Sequence, residues 1–223
     1  IFVIPNSEKR VENINPDKKK QILFVGRMTY EDKRIDRLID IWELIYREVP
    51  DRELILECLT TSEDVFSREN RLANMTTSAW VVNRARSKVL MAYHNIYDSW
   101  SWLGGHADGE ADLLAVALRE VSEESGLAAQ HVRPAEPAGE IFSLEVLTVD
   151  GHEKRGAYVP SHLHLNVTYL IEADEEERLR VKKDENSGVA WFTPEAALAA
   201  STEPWFVERV YRKLNEKVQK LLG

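Results

Sequence analysis

A chain of 223 residues, 43% hydrophobic and 30% charged, has an ordinary globular composition, with room for one good-sized domain plus an appendage or for two small ones. Its net charge of −9 argues against a nucleic-acid polymer as the main partner, and no apolar run approaches the ~20 residues that span a bilayer. The opening IFVIP is too short for a signal-peptide core, and a single cysteine excludes an internal disulfide, so a reducing, cytoplasmic setting is expected.

The composition changes character near Pro50. Before it, residues 8–20 are polar and end in a KKK run, a solvated connection. QILFVG at 21–26 predicts a buried strand, and Ile35, Leu38, Ile39, Trp42, Ile45 and Tyr46 recur at helical spacing over 34–48. One strand and one helix cannot enclose a core, so this piece must pack against something else.

From about Asp51 onward the pattern is that of a complete α+β domain. ELILECL predicts a short helix that buries Cys58 as a core thiol. Strands are expected over Ala79–Asn83 and Lys88–His94, with SWSWLGG at 99–105 strand-like up to its glycine pair. Residues 113–125 form a helix, with Leu114, Ala117, Leu118 and Val121 on its apolar side and Gly126 at its C-terminal cap. Further strands are expected at 140–147, 162–171 and 189–192. Helices follow at 194–200 and 204–222, each with proline near its start.

The helix at 113–125 carries the chemistry. Glu120, Glu123 and Glu124 stand at i, i+3 and i+4, so the three carboxylates share one face at the helix end, where the helix dipole already disfavours negative charge. Each like-charge pair costs a few tenths of a kcal/mol, and folding has no need of them. A hard divalent cation does: Mg²⁺ takes oxygen ligands and is completed by substrate phosphate. The glycine pair ahead lets backbone approach the ion, with the Gly104 carbonyl as a further ligand, and Arg119 sits where it can orient a carboxylate. A glutamate not committed to metal would serve as base.

With GG, a loop of fixed length, RE, and EE followed by glycine, the stretch resembles the Nudix box, G-x5-E-x7-R-E-U-x-E-E-x-G-U, where U is aliphatic. Gly105, Arg119, Glu120, Val121, Glu123, Glu124, Gly126 and Leu127 fall in register. The resemblance extends from about residue 51 to the C-terminus and includes the WSWLGGHADG lead-in. It implies an α/β/α sandwich with a mixed sheet, and hydrolysis of nucleoside diphosphates linked to another moiety with Mg²⁺ or Mn²⁺. It implies Glu123 and Glu124 as metal ligands, Glu120 as ligand or base, the Gly104 carbonyl as an extra ligand, and Arg119 in support. One position departs: the first glutamate of the pattern falls at Ala111, flanked by Glu110 and Asp112. In the family that residue mainly braces the loop and helix. A Nudix-fold binding domain without catalysis is therefore the competing reading.

Outside the box, His106 follows the glycine pair and could meet a substrate phosphate or be a polar loop residue. His162 and His164 alternate on one strand and share a face, as do Trp100 and Trp102. Glu185, in KKDENSG, is a candidate for an acid recruited from outside the box. The expected partner is a small-molecule diphosphate, with homodimer formation allowed for.

The first fifty residues do not fit this pattern. IFVIPN, QILFVGRM and KRIDRLIDIWELI resemble the start of the C-terminal domain of GT-B glycosyltransferases of the family 4 type, with Gly26, Arg27 and Lys33 at positions that hold a nucleotide-sugar diphosphate. The rest of that Rossmann-like domain is missing, so no glycosyl transfer is expected. An abrupt join at 50–53 and a start without methionine lead to the expectation of an engineered chimera or a fusion, with residues 1–50 a glycosyltransferase-like add-on and 51–223 the Nudix domain.

Overall fold

The computed structural model describes residues 2–3, 23–24, 50–135, 139–154, 156–182 and 185–222. Two compact units make up the chain, Ile1–Val49 and Pro50–Gly223. In the first, β1 (Phe2–Val3) pairs in parallel with β2 (Leu23–Phe24), which lies inside the strand expected at 21–26. The expected connection at 8–20 and helix at 34–48 lie outside the described residues.

In the second unit, the expected short helix is longer than ELILECL: α1 covers residues 50–61, and Pro50 itself is helical. Ile55 is buried, whereas Cys58 is only half-buried, packed on the rim of the same core rather than enclosed by it. The sheet is mixed. Its centre is the parallel pair β3 (Ala73–Val82) and β11 (His162–Ala173), in continuous register from Ala73↔Leu163 to Val82↔Glu172. Antiparallel neighbours extend it: β7 (Val132–Pro134) and β8 (Ile141–Val149) on β11, then β4 (Val89–His94) on β3, and β12 (Asn186–Phe192) on β4. A separate hairpin pairs β9 (His152–Lys154) with β10 (Ala157–Val159).

The run at 99–106 is two strands. β5 (Ser99–Ser101) pairs with β4, and β6 (Leu103–His106) pairs with β3, so the chain crosses from one neighbour to the other at Trp102. This crossing seats Gly104 and Gly105 opposite Ser78 and Thr77 on the central strand.

Side chains alternate across a strand, and the two faces of β3 enter different cores. Ala73, Met75, Ala79 and Val81 pack with Leu113, Ala117 and Val121 of α2 (Leu113–Ser125). Trp80 and Val82 pack with Tyr211, Leu214 and Val218 at the C-terminal end of the chain. There α3 (Pro194–Ala200) is followed by a short turn at Pro204–Phe206, a π-helical turn at Val207–Tyr211, and α4 (Arg212–Leu222). Helices on both faces of a mixed sheet make the α/β/α sandwich.

The first strand begins six residues earlier than its sequence pattern suggests. Asn74, Thr76 and Ser78 look like loop residues, yet all are buried, because β3 meets a polar seam on the α4 side. Thr76 and Ser78 donate to Asn166 Oδ1 (3.1 and 2.9 Å), whose amide donates to Glu145 Oε2 (3.0 Å). Lys213 of α4 reaches Glu145 Oε1 at 2.8 Å, and Ser143 and Thr168 supply further donors. A buried polar residue is tolerated in a strand when its partners are in place. Those partners come from β8, β11 and α4, and the one that Thr76 bonds directly, Asn166, already stands 90 residues away from it in sequence.

Candidate active site

The three carboxylates are held by α2, whose ends are where the sequence places them. Asp112 caps the start, its side chain accepting from the Ala115 N–H at 3.0 Å. Gly126 ends the helix at φ 71° and donates to the Ser122 carbonyl at 2.9 Å; a Cβ there would also lie 2.6 Å from Arg180 Cβ. Leu113, Val116, Ala117 and Val121 are buried. Each large aliphatic so buried contributes about 1.5–3 kcal/mol, which outweighs the few tenths that the crowded carboxylates cost.

The carboxylates differ sharply in environment. Glu123 is 45% exposed at its side chain and Glu120 15%. Glu124 is buried, at 5%. Its Oε2 accepts from the Gly104 N–H (3.0 Å) and its Oε1 from the Asn186 side-chain amide (3.2 Å). Both donors are uncharged. Burial pushes the Glu124 carboxyl up to about 7, opposed by these two hydrogen bonds and assisted by the charges of Glu120 and Glu185. Burial, then the neighbouring Glu123, also raises Glu120.

The two glycines meet different neighbours. A Cβ at Gly104 would stand 2.3 Å from the Thr77 carbonyl oxygen, so only glycine lets β6 lie this close to β3. A Cβ at Gly105 would stand 2.7 Å from Glu120 Cδ, so the Glu120 carboxylate rests directly on the strand. The pair therefore presents backbone to the acidic cluster from one side while the helix presents carboxylates from the other.

The model of the NUDIX domain matches residues 73–214, well over half of the chain, and this span contains the three carboxylates and both glycines. The chain belongs to the NUDIX domain family. The match supports a Nudix hydrolase in general terms. Similar solved structures include an Ap4A hydrolase from C. elegans in a binary complex (17% identity, 66% of this chain and 96% of that one, TM-score 0.45) and the dihydroneopterin triphosphate pyrophosphohydrolase of E. coli (14%, 66% and 95%, 0.48). A NUDIX-family hydrolase from Clostridium perfringens is similar at 20% identity over 68% of this chain and 99% of that one, with a TM-score of 0.45. No curated protein matches the chain.

At the position where the Nudix pattern has its first glutamate, Ala111 leaves the bracing to its neighbours. Asp112 caps the helix, and Glu110 Oε1 accepts from the Asp112 N–H at 2.9 Å. The helix start is thus tied down without the missing carboxylate.

Three residues that the sequence did not single out complete the site. Asn186 is buried and anchors Glu124. Lys182 Nζ lies 3.3 Å from Glu123 Oε2 and 2.9 Å from Glu185 Oε2, bridging a helix carboxylate and the candidate loop acid. Burial alone would lower its ammonium, but pairing with Glu185 and Glu123 outweighs this and raises it. Arg68 grips Asp108 through both carboxylate oxygens, and the charges of Glu120 and Glu185 reach it. Arg119 lies along the cluster, 3.5 Å from Glu120 and 3.8 Å from Glu123. The charged loop KKDENSG was the only sequence signal for Lys182 and Asn186; nothing local marked Arg68.

His106 is not gathered with the carboxylates. The Cβ direction of Gly105 points at Glu120, so the next side chain projects from the opposite face, where the His106 ring lies 4.8 Å from that of His164. Trp100 and Trp102 are partly buried and pack against the core on the α4 side: Trp100 meets Tyr93 and Phe192 edge-on, and Trp102 meets Phe206 and Tyr211. Apart from these, His131, Asp174 and Glu177 gather near the end of β11, where the His131–Glu177 contact of 3.6 Å joins two of them.

Proposed function

We propose that residues 51–223 hydrolyse a diphosphate linkage in a nucleoside diphosphate joined to another moiety, with Mg²⁺ or Mn²⁺. The observation that carries this reading is Glu124: a buried carboxylate beside Glu120, held by two uncharged donors and pushed up to about 7. Burying carboxylates together without a neutralising charge is unfavourable unless a cation completes the group. The donor set is all oxygen, and it suits a hard divalent ion. Glu120, Glu123, Glu124 and the Gly104 carbonyl would hold it. Such an ion, when bound, lowers the pKa of water and neutralises charge on the leaving phosphate.

The chain's own residues do the rest. Where it is not committed to the ion, Glu120, with its proton affinity raised by burial, would accept the proton of the attacking water. Arg119 orients Glu120 and Glu123. Lys182 and Arg68 offset the negative field in which a diphosphate must sit, and Lys182 positions Glu185 at its margin. Because Asp112 and Glu110 secure the helix start, Ala111 gives little support to the binding-domain reading.

The test is a phosphate- and nucleotide-release screen over dinucleotides, nucleotide sugars, nucleoside triphosphates and non-nucleotide diphosphates with Mg²⁺ and Mn²⁺. It is run beside Glu123→Gln and Glu124→Gln. Turnover confined to wild type supports the site, and equal turnover in all three sinks it. For residues 1–50 we propose a glycosyltransferase-like strand–helix add-on that transfers no sugar. The resemblance of its residues supports this, together with the parallel pairing of β1 and β2. Limited proteolysis that strips it instantly from a stable core would refute a folded add-on.

A further inference from the structure

We infer that His162 and His164, flanked by His106 and Asn74, form a second metal site for a borderline divalent ion of the Zn²⁺ type, on the sheet face opposite Glu120. Four observations carry it. First, the imidazoles converge: His162 Nε2 and His164 Nε2 are 3.1 Å apart, the His162 and His164 rings 5.0 Å, and the His164 and His106 rings 4.8 Å. Two zinc–nitrogen bonds of about 2.0–2.1 Å at the tetrahedral angle separate their nitrogens by about 3.3 Å.

Second, His162 is oriented from behind as a metal ligand is. Its Nδ1 lies 2.9 Å from the Pro160 carbonyl, which can only accept, so Nδ1 carries the proton and the Nε2 lone pair accepts from His164 Nε2–H at 3.1 Å, a proton whose place the metal would take. Third, Asn74 sits beside His164 in the β3–β11 register, is 2% exposed, and its Oδ1 has no hydrogen-bond partner. A buried amide oxygen in that state is an available oxygen ligand. Fourth, the register Thr76↔His106 puts His106 on the face where Thr76 meets Asn166, which is also the face of His164. The ligand chemistry differs from that of the acidic cluster, since imidazole suits zinc and carboxylate suits magnesium or manganese. The inference does not rest on the hydrolytic reading.

Metal-stripped full chain is titrated with Co²⁺ followed by visible absorption and with Zn²⁺ followed by calorimetry. We expect intense, low-symmetry Co²⁺ bands that Zn²⁺ displaces. One Zn²⁺ equivalent should persist in E120Q/E123Q/E124Q, and its affinity should fall at least about tenfold in H162A/H164A. Circular dichroism checks that the variants fold. Long-range ¹H–¹⁵N spectra of wild type give an answer free of substitutions, because Zn²⁺ should shift the Nε2 resonances of His162 and His164. The inference is overturned if those resonances do not move, if wild type binds neither ion, or if H162A/H164A retains the Zn²⁺ that E120Q/E123Q/E124Q loses.

Discussion

Two glutamates, one on each side of the same sheet, are buried to almost the same degree and differ in nearly everything else. Glu145 is 3% exposed and Glu124 5%. Glu145 receives the Lys213 ammonium, two hydroxyls and an amide, so its charge is neutralised and its oxygens are satisfied by the chain itself. Glu124 receives one backbone N–H and one amide, and its nearest acidic neighbours add to its cost. Glu145 is complete without a ligand. Glu124 is short of positive charge, and a buried carboxylate left short is where a cation gains most.

The comparison breaks most readily at Glu145. Glu145→Gln leaves the Lys213 ammonium buried without its counter-ion, and a stability loss of about 3–5 kcal/mol is expected in urea denaturation. Glu124→Gln should do the reverse. In chelator-treated protein its Tm should match or exceed wild type at neutral pH or above, while metal-dependent turnover falls on the order of a hundredfold, in line with the several kcal/mol a bound cation supplies. If both substitutions destabilise equally and neither selectively removes turnover, the two carboxylates play the same structural part.

The pH dependence sharpens the contrast. The folded pKa of Glu124 is raised from 4.5 to about 7, so the stability it contributes is fully present below 4.5 and is lost as pH rises through about 7. In chelator-treated protein this amounts to on the order of 2–3 kcal/mol lost across that window, read from urea midpoints. Glu124→Gln should flatten the slope, and saturating Mg²⁺ should offset it, since cation and proton compete for one carboxylate. Identical slopes in wild type and Glu124→Gln would remove Glu124 as their source.

The smallest expected effect is at the strand. In Gly105→Ala the new Cβ meets the mobile end of Glu120, 2.7 Å away, rather than backbone. Stability should change by no more than about 1 kcal/mol. Turnover should fall about tenfold, because the carboxylate is displaced from its seat. Unchanged kcat would show that Glu120 need not rest on Gly105.

Much of this site was legible because it is local. The helix at 113–125, its Gly126 end and its three carboxylates all follow from periodicity and spacing within one segment. The helix at 194–200 was legible for the same reason, with Pro194 at its first turn and Thr193 capping it through the Ala196 N–H. The polar half of β3 was not. Thr76 and Ser78 are strand residues only because Asn166 and Glu145 wait for them in the fold. His106 shows the same limit. Adjacent to the glycine pair in sequence, it belongs to the opposite face in space, beside His164.

The sequence by itself determined which carboxylates share a helix face, which glycines precede them, and hence the family. Those features depend on helical spacing and on backbone room, which are properties of consecutive residues. Tertiary structure alone decided that Glu124 is the buried member, that Lys182 and Arg68 supply the compensating charge, and that three histidines meet. Burial and long-range pairing arise only when distant segments exclude water from one another, and they set the protonation and the ligand preference of each group.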